Sequence, residues 1–187
     1  MYFRAVTTRV FTTTLPGLLK IQRPEQPSED EKNPFVEIAD LAELSRISGK
    51  TFQTLQINHS HSMQNVLRGL HAEHWDKITW IARGQVMSVI VDIRPDSPTF
   101  GKYEIFELSD ENRLALYIPE GFANSAYAIT EIDYMYMVSK LYDGSDTFAV
   151  AWDDPDLAIP WPTKNPIISE RDKQNPRLRE LFPDKFQ

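Results

Sequence analysis

QVMSVIVDIRPDSPTFGKYEIFEL, residues 85–108, holds two strand patterns on either side of a turn. VMSVIVDI (86–93) is almost wholly apolar and rich in β-branched residues, the pattern of a strand buried on both faces. YEIFEL (103–108) alternates, which predicts a strand with one face on the core and the other toward solvent. Pro95-Asp96-Ser97-Pro98 between them is turn chemistry.

The same grammar extends in both directions. Strands are predicted over 51–58, 66–71, 77–82, 85–94, 102–108, 113–118, 125–129 and 133–141, with turns at Arg83-Gly84, Asp110-Glu111-Asn112 and Pro119-Glu120-Gly121. Short strands so punctuated indicate a mainly β fold, an antiparallel jelly-roll barrel or β-sandwich. Upstream, QRPEQPSEDEKNP (22–34) has no apolar period and reads as a loop after an N-terminal strand. Val36, Leu41, Leu44 and Ile47 then fall at helical spacing, and a short helix from Asp40 to Ser48, closed by Gly49, is expected. Residues 143–187 are loop-rich, with one short helix around Arg177–Leu181. The whole chain, 1–187, is expected to be one domain: an N-terminal strand and loop (1–34), the β body and a C-terminal extension.

Composition narrows the function. The 187 residues include no cysteine, which removes disulfides, thiolate metal sites and thiol nucleophiles and fits a reducing, cytoplasmic setting. A formal charge of −7 argues against nucleic-acid binding, which needs clustered Lys and Arg. No apolar run is long enough to span a bilayer, MYFRAVTTRVFTTT lacks the features of a secretory signal, and there is no glycine-rich phosphate loop.

All four histidines lie between positions 59 and 74. His71, Glu73 and His74 have the look of a jelly-roll metal triad, but PEGFANSA (119–126), where a later ligand would fall, offers Asn124, and an amide is a poor ligand for borderline metals. No metal is expected. Proton transfer is the other reading, because an imidazole titrates near pH 6.5. It requires a carboxylate to orient the ring, and Asp153 or Asp154 could supply it from far along the chain.

NHSHSMQNVLRGLH (58–71), VDIRPDSPTFGKYEIFELSDENRLALYIPEGFA (91–123) and WDDPDLAIPWP (152–162) together resemble the dTDP-4-dehydrorhamnose 3,5-epimerase family. The resemblance runs from about Phe35 to Ser169. It implies a cupin-type jelly roll, a homodimer with exchanged N-terminal strands, no cofactor, and a nucleotide-linked 4-keto-6-deoxyhexose as substrate. By resemblance His71 is the base, Asp154 the carboxylate that orients it, Tyr136 the acid on the opposite face and Lys77 the cation on the enolate oxygen. Arg68 and Lys32 match diphosphate contacts, with Gln56 and Asn58 near them and Tyr142 beside the pyrophosphate. Phe35 and Glu37 match contacts to the nucleotide base. His59 reads as a structural histidine, His61 and His74 as peripheral.

The chain departs from the family in three places. Asn124 and Ser125 stand where the family usually has a histidine and a glycine; Asn124 is expected to hydrogen-bond the sugar. Only AEHWD joins His71 to Lys77, and the acidic, proline-rich segment before Phe35 does not align. These departures imply an unusual 4-keto sugar or inversion of a single carbon. The alternatives are a non-catalytic sugar-nucleotide-binding cupin and a 3,4-ketoisomerase.

Overall fold

In the computed structural model, which describes residues 8–22, 37–142 and 148–186, two antiparallel sheets pack face to face. The strands in chain order are β1 (Arg9–Thr12), β2 (Leu19–Gln22), β3 (Gln56–Ser62), β4 (Leu67–Ala72), β5 (Lys77–Arg83), β6 (Gln85–Asp92), β7 (Tyr103–Ser109), β8 (Ala115–Ile118), β9 (Phe122–Ala128), β10 (Ile132–Val138) and β11 (Phe148–Ala149). One sheet has the order β1-β2-β8-β5-β10-β3, the other β11-β4-β9-β6-β7. This is the expected mainly β jelly roll. Among the described residues no helix is long and apolar enough to cross a membrane.

The all-apolar run on β6 has a simple cause. Val86 and Ile90 point between the sheets, where they meet Leu116, Ile118 and Ile132 of the opposite sheet. Met87, Val89 and Val91 point the other way and are covered by Leu157, Leu178, Trp152, Trp161 and Phe182 of the C-terminal extension. The loop-rich tail therefore works as a third layer. Asp92 closes the strand: fully buried, it accepts bonds from Arg94, Ser97 and Thr99. Burial pushes its carboxyl up, but those bonds outweigh burial and hold it below the usual carboxylate range.

The outer face of the six-stranded sheet carries α1 (Leu41–Ser48). Asp40 caps its start by accepting from the backbone N–H of Ala42 at 2.9 Å and Glu43 at 3.1 Å, and Gly49, at φ 71°, supplies the left-handed residue that ends it. Leu44 is fully buried against Ile21, Ile78 and Tyr117, a burial that contributes about 2 kcal/mol.

Among the boundaries that differ from those expected, two bear on the site. β3 begins at Gln56, not Thr51, and runs to Ser62. Its alternation is inverted: Gln56, Asn58, Ser60 and Ser62 are the more sheltered positions, while Ile57, His59 and His61 are exposed. β9 begins at Phe122, so Asn124 lies inside a wholly buried strand and not in the preceding turn. Both shifts have one cause: part of the space between the sheets is a polar cavity.

Candidate active site

The cavity measures about 200 Å³ and borders the apolar core through Ala126, Ile132 and Tyr134. β4 contributes Arg68 and His71 to its wall, with Glu73 just beyond the strand; β5 contributes Lys77, β9 Asn124, β10 Tyr136, and β3 Ser60 and Ser62. Residues as far apart in the sequence as Ser60 and Tyr136 are thus brought together by one rule, inward orientation on neighbouring strands.

His71 Nε2 lies 2.7 Å from Asp172 Oδ1, the partner side chain only 5 % exposed. Asp172 sits in a 3₁₀ turn (Asp172–Gln174), anchored by its own N–H to Ser169 Oγ at 3.1 Å and by Gly69 N–H to its Oδ2 at 3.3 Å. Burial pushes its carboxyl up, but the hydrogen bond and charge of His71 outweigh that and hold it below the usual range. Asp172 therefore presents an anion to Nε2, and Nδ1 is the ring nitrogen that this carboxylate does not engage.

This corrects the expectation for Asp154. Its carboxylate is buried at 1 % exposure and fully engaged with backbone: Oδ1 accepts from Asp156 and Leu157 N–H, and Oδ2 accepts from Leu178 N–H at 2.6 Å. Asp154 ties the WDDPD turn to the start of α2 (Leu178–Leu181), and the carboxylate that bonds His71 is Asp172. Asp153 is exposed. The sequence signal for Asp172 was weak. Ser169 and Asp172 make an S-x-x-D start of a helical turn, which marks a local cap but says nothing about a histidine 101 residues away.

Lys77 and Tyr136 share the cavity with His71. Lys77 Nζ stands 5.1 Å from the centre of the Tyr136 ring and donates to Glu73 Oε1 and, at 3.2 Å, to Asn124 Oδ1. Burial first, and then the charge of Glu73, push the Tyr136 phenol above its ordinary value, with Arg68 opposing. It stays protonated across the neutral range. Glu73, read from the sequence only as a metal ligand, is here the counter-ion of Lys77. Asn124 has both amide groups engaged with protein, since its Nδ2 donates to His71 O and Glu73 Oε2, each at 2.7 Å.

The remaining expected residues divide. Arg68 lines the cavity, held by Nε to Ser62 Oγ at 2.9 Å. Gln56 and Asn58 continue the inward row of β3 beyond the cavity wall and bond each other at 2.6 Å. Glu37 Oε1 accepts from Thr8 N–H and Oγ1. Tyr142 is 55 % exposed, edge-on to Trp75, outside the lining. Lys32 and Phe35 lie outside the described residues. The other histidines turn away: His59 and His61 face Asp133, and His74 faces Glu120 at 3.6 Å, so His71, Glu73 and His74 do not converge on a common point.

The position of His71 depends on Gly69. At φ 123°, a Cβ on Gly69 would fall 2.7 Å from Asn124 O and 2.8 Å from Ser125 Cα. β4 approaches β9 too closely there for any side chain, and the register shift between Arg68 and His71 lies at the same point. Gly69→Ala is expected to destabilise the fold by roughly 2–3 kcal/mol or more, read as a lowered urea midpoint. An unchanged midpoint would show that β4 can relax away from β9.

Residues 12–180 match the family described as dTDP-4-dehydrorhamnose 3,5-epimerase. The chain belongs to that family. It is therefore an enzyme of the isomerase class. A dTDP-4-dehydrorhamnose 3,5-epimerase from Methanothermobacter thermautotrophicus is 37 % identical over 179 residues, spanning 92 % of this chain and 95 % of the relative. The 4-keto-6-deoxy sugar epimerase from the novobiocin biosynthetic gene cluster of Streptomyces spheroides superposes with a TM-score of 0.88 at 31 % identity, covering 99 % of this chain and 94 % of the other. A dTDP-6-deoxy-D-glucose-3,5-epimerase from Legionella pneumophila, solved with dTDP-4-keto-L-rhamnose bound, gives 0.85 at 31 % identity, covering 95 % and 96 %. These epimerases share the jelly-roll frame that here carries His71, Lys77 and Tyr136 on facing strands.

Proposed function

We propose that the chain epimerises a nucleotide-linked 4-keto-6-deoxyhexose, a dTDP sugar, at one or both carbons flanking the ketone, without a cofactor. The observation that carries this reading is the cavity itself: a histidine oriented by a buried aspartate, a lysine and a protonated phenol all border the same 200 Å³. The substrate's own C4 carbonyl makes the neighbouring C–H bonds acidic. His71 Nδ1 takes that proton, the bonding pair moves into the ring as an enolate, and charge collects on O4. Lys77 meets that charge as it develops, a contribution of about 3–4 kcal/mol for a well-placed donor. The Tyr136 hydroxyl returns a proton to carbon from the opposite face, which inverts the centre, and solvent restores both groups.

Asp172 makes the first step feasible, because its negative charge stabilises the imidazolium that forms and fixes the ring tautomer. Arg68 at the cavity edge provides a guanidinium fork suited to a diphosphate oxygen pair.

The test is incubation with a dTDP-4-keto-6-deoxyhexose in heavy water. Deuterium entering at carbon 3, carbon 5 or both, read by NMR, is the expected result, and the pattern tells whether one centre or two are inverted. Well-folded protein that leaves both positions unlabelled would sink the proposal.

A further inference from the structure

Lys77 and Glu73 are enclosed charges, their side chains 6 % and 12 % exposed. Glu73 Oε1 accepts from Lys77 Nζ, Glu73 Oε2 accepts from Asn124 Nδ2 at 2.7 Å, and Asn124 Oδ1 accepts from Lys77 Nζ at 3.2 Å. The three side chains close a ring. Asn124 Nδ2 also donates to the His71 carbonyl at 2.7 Å, so the ring is riveted to the backbone of the residue that carries the base.

Counting donors shows what the ring leaves over. An ammonium has three N–H groups; Glu73 and Asn124 take two, and one remains for a molecule in the cavity. The amide at 124 is matched to this task. It offers two N–H donors on one nitrogen and a separate acceptor, whereas a neutral imidazole has one of each and a carboxylate has no donor. A buried ammonium deprived of its counter-ion would be strongly disfavoured where it stands.

We propose that Glu73 is a positioning residue, whose carboxylate holds the Lys77 ammonium against Asn124 so that the lysine's remaining N–H is aimed at the ketone oxygen of the bound sugar. The assignment rests on the epimerase reading above. Glu73 follows His71 by two residues and lines the same cavity, so one short segment sets the separation between base and cation. The brevity of the His71–Lys77 connection thereby gains a reason. AEHWD reaches directly from β4 to β5 and brings a carboxylate onto Lys77 in the cavity that His71 also lines.

The test compares E73Q and E73D with wild type by steady-state kinetics on a dTDP-4-keto-6-deoxyhexose across pH, with urea unfolding of each. E73Q keeps the size but removes the charge and turns an N–H toward one of its two donors. Its kcat is expected to fall roughly 100-fold, the penalty of a misplaced catalytic group, with little change in KM. Its alkaline limb should begin at lower pH, because the Tyr136 phenol loses a neighbouring anion that helps keep it protonated. E73D keeps the charge and should recover a large part of kcat. Wild-type kcat in E73Q, a loss confined to KM, or E73D no better than E73Q with the alkaline limb unmoved would each overturn the assignment. Wild-type protein that exchanges neither carbon's hydrogen overturns the epimerase reading and this assignment with it; wild-type exchange beside a fully active E73Q overturns the assignment alone.

Discussion

His71→Asn and His71→Gln are both expected to lose turnover, by roughly 10³-fold or more, because neither amide can take up a proton near neutral pH. They should differ in stability. The asparagine amide reaches only about as far as the ring's Nδ1, so Asp172 loses its 2.7 Å donor and keeps only the longer bond from Gly69 N–H. A buried carboxylate left short of a donor costs about 1–3 kcal/mol. The glutamine amide reaches the Nε2 position and can satisfy Asp172. His71→Gln is therefore the cleaner test: near-native unfolding, retained dTDP affinity by calorimetry, and no turnover. A protein that merely binds sugar nucleotides would have no turnover to lose, and His71→Gln retaining a tenth of wild-type kcat would remove His71 from the role of base.

Most of the fold was legible because burial writes itself into periodicity. The all-apolar β6 announced layers on both sides, and the Asp40 and Gly49 caps bounded α1. Reading failed where the interior is polar. β3 turns serine and asparagine inward and isoleucine outward, so its pattern pointed to the wrong faces and its start was misplaced by five residues. The N-terminal segment, read as one strand, forms two four-residue strands, β1 and β2, and β11 has only two residues, too few for a period to show. The C-terminal layer was read as loop because irregular backbone can bury Trp152, Trp161 and Phe182 without any repeat.

The site was legible in part for a related reason. Arg68, His71, Lys77, Asn124 and Tyr136 could each be placed from motif context, and the structure gathers all five around one cavity. The hydrogen bonds between them could not be placed. Glu73 as counter-ion to Lys77 is a contact across a turn, and nothing in AEHWD distinguishes it from a solvated glutamate. Asp154 was expected because WDDPD sits in a strong motif, yet its strength as a motif reflects a turn that engages its own carboxylate. A residue's partners are a property of the packed chain, and they decide whether an aspartate caps a helix or serves a histidine.

Asp172→Asn and Asp154→Asn should therefore separate cleanly. Asp172→Asn preserves shape but removes the anion beside His71 Nε2 and allows the wrong ring tautomer; a change of this type in a Ser-His-Asp triad lowers kcat by about 10⁴, and a loss of roughly 10³–10⁴ is expected here. Asp154→Asn should leave kcat near wild type but lower the urea midpoint, since an amide N–H replaces the oxygen that accepts from Leu178 N–H, at about 1–3 kcal/mol. The pH dependence of stability gives an independent reading. Asp172 is held below the usual carboxylate range in the folded protein, against about 3.9 for an aspartate in an unfolded chain. With the folded value depressed, its stabilising contribution is complete above the unfolded value and disappears as pH falls through the folded one. The stability gap between wild type and Asp172→Asn should thus shrink as pH falls below about 4. A gap that stays constant into acid, or a kcat loss in Asp154→Asn matching that of Asp172→Asn, would return the orienting role to another carboxylate.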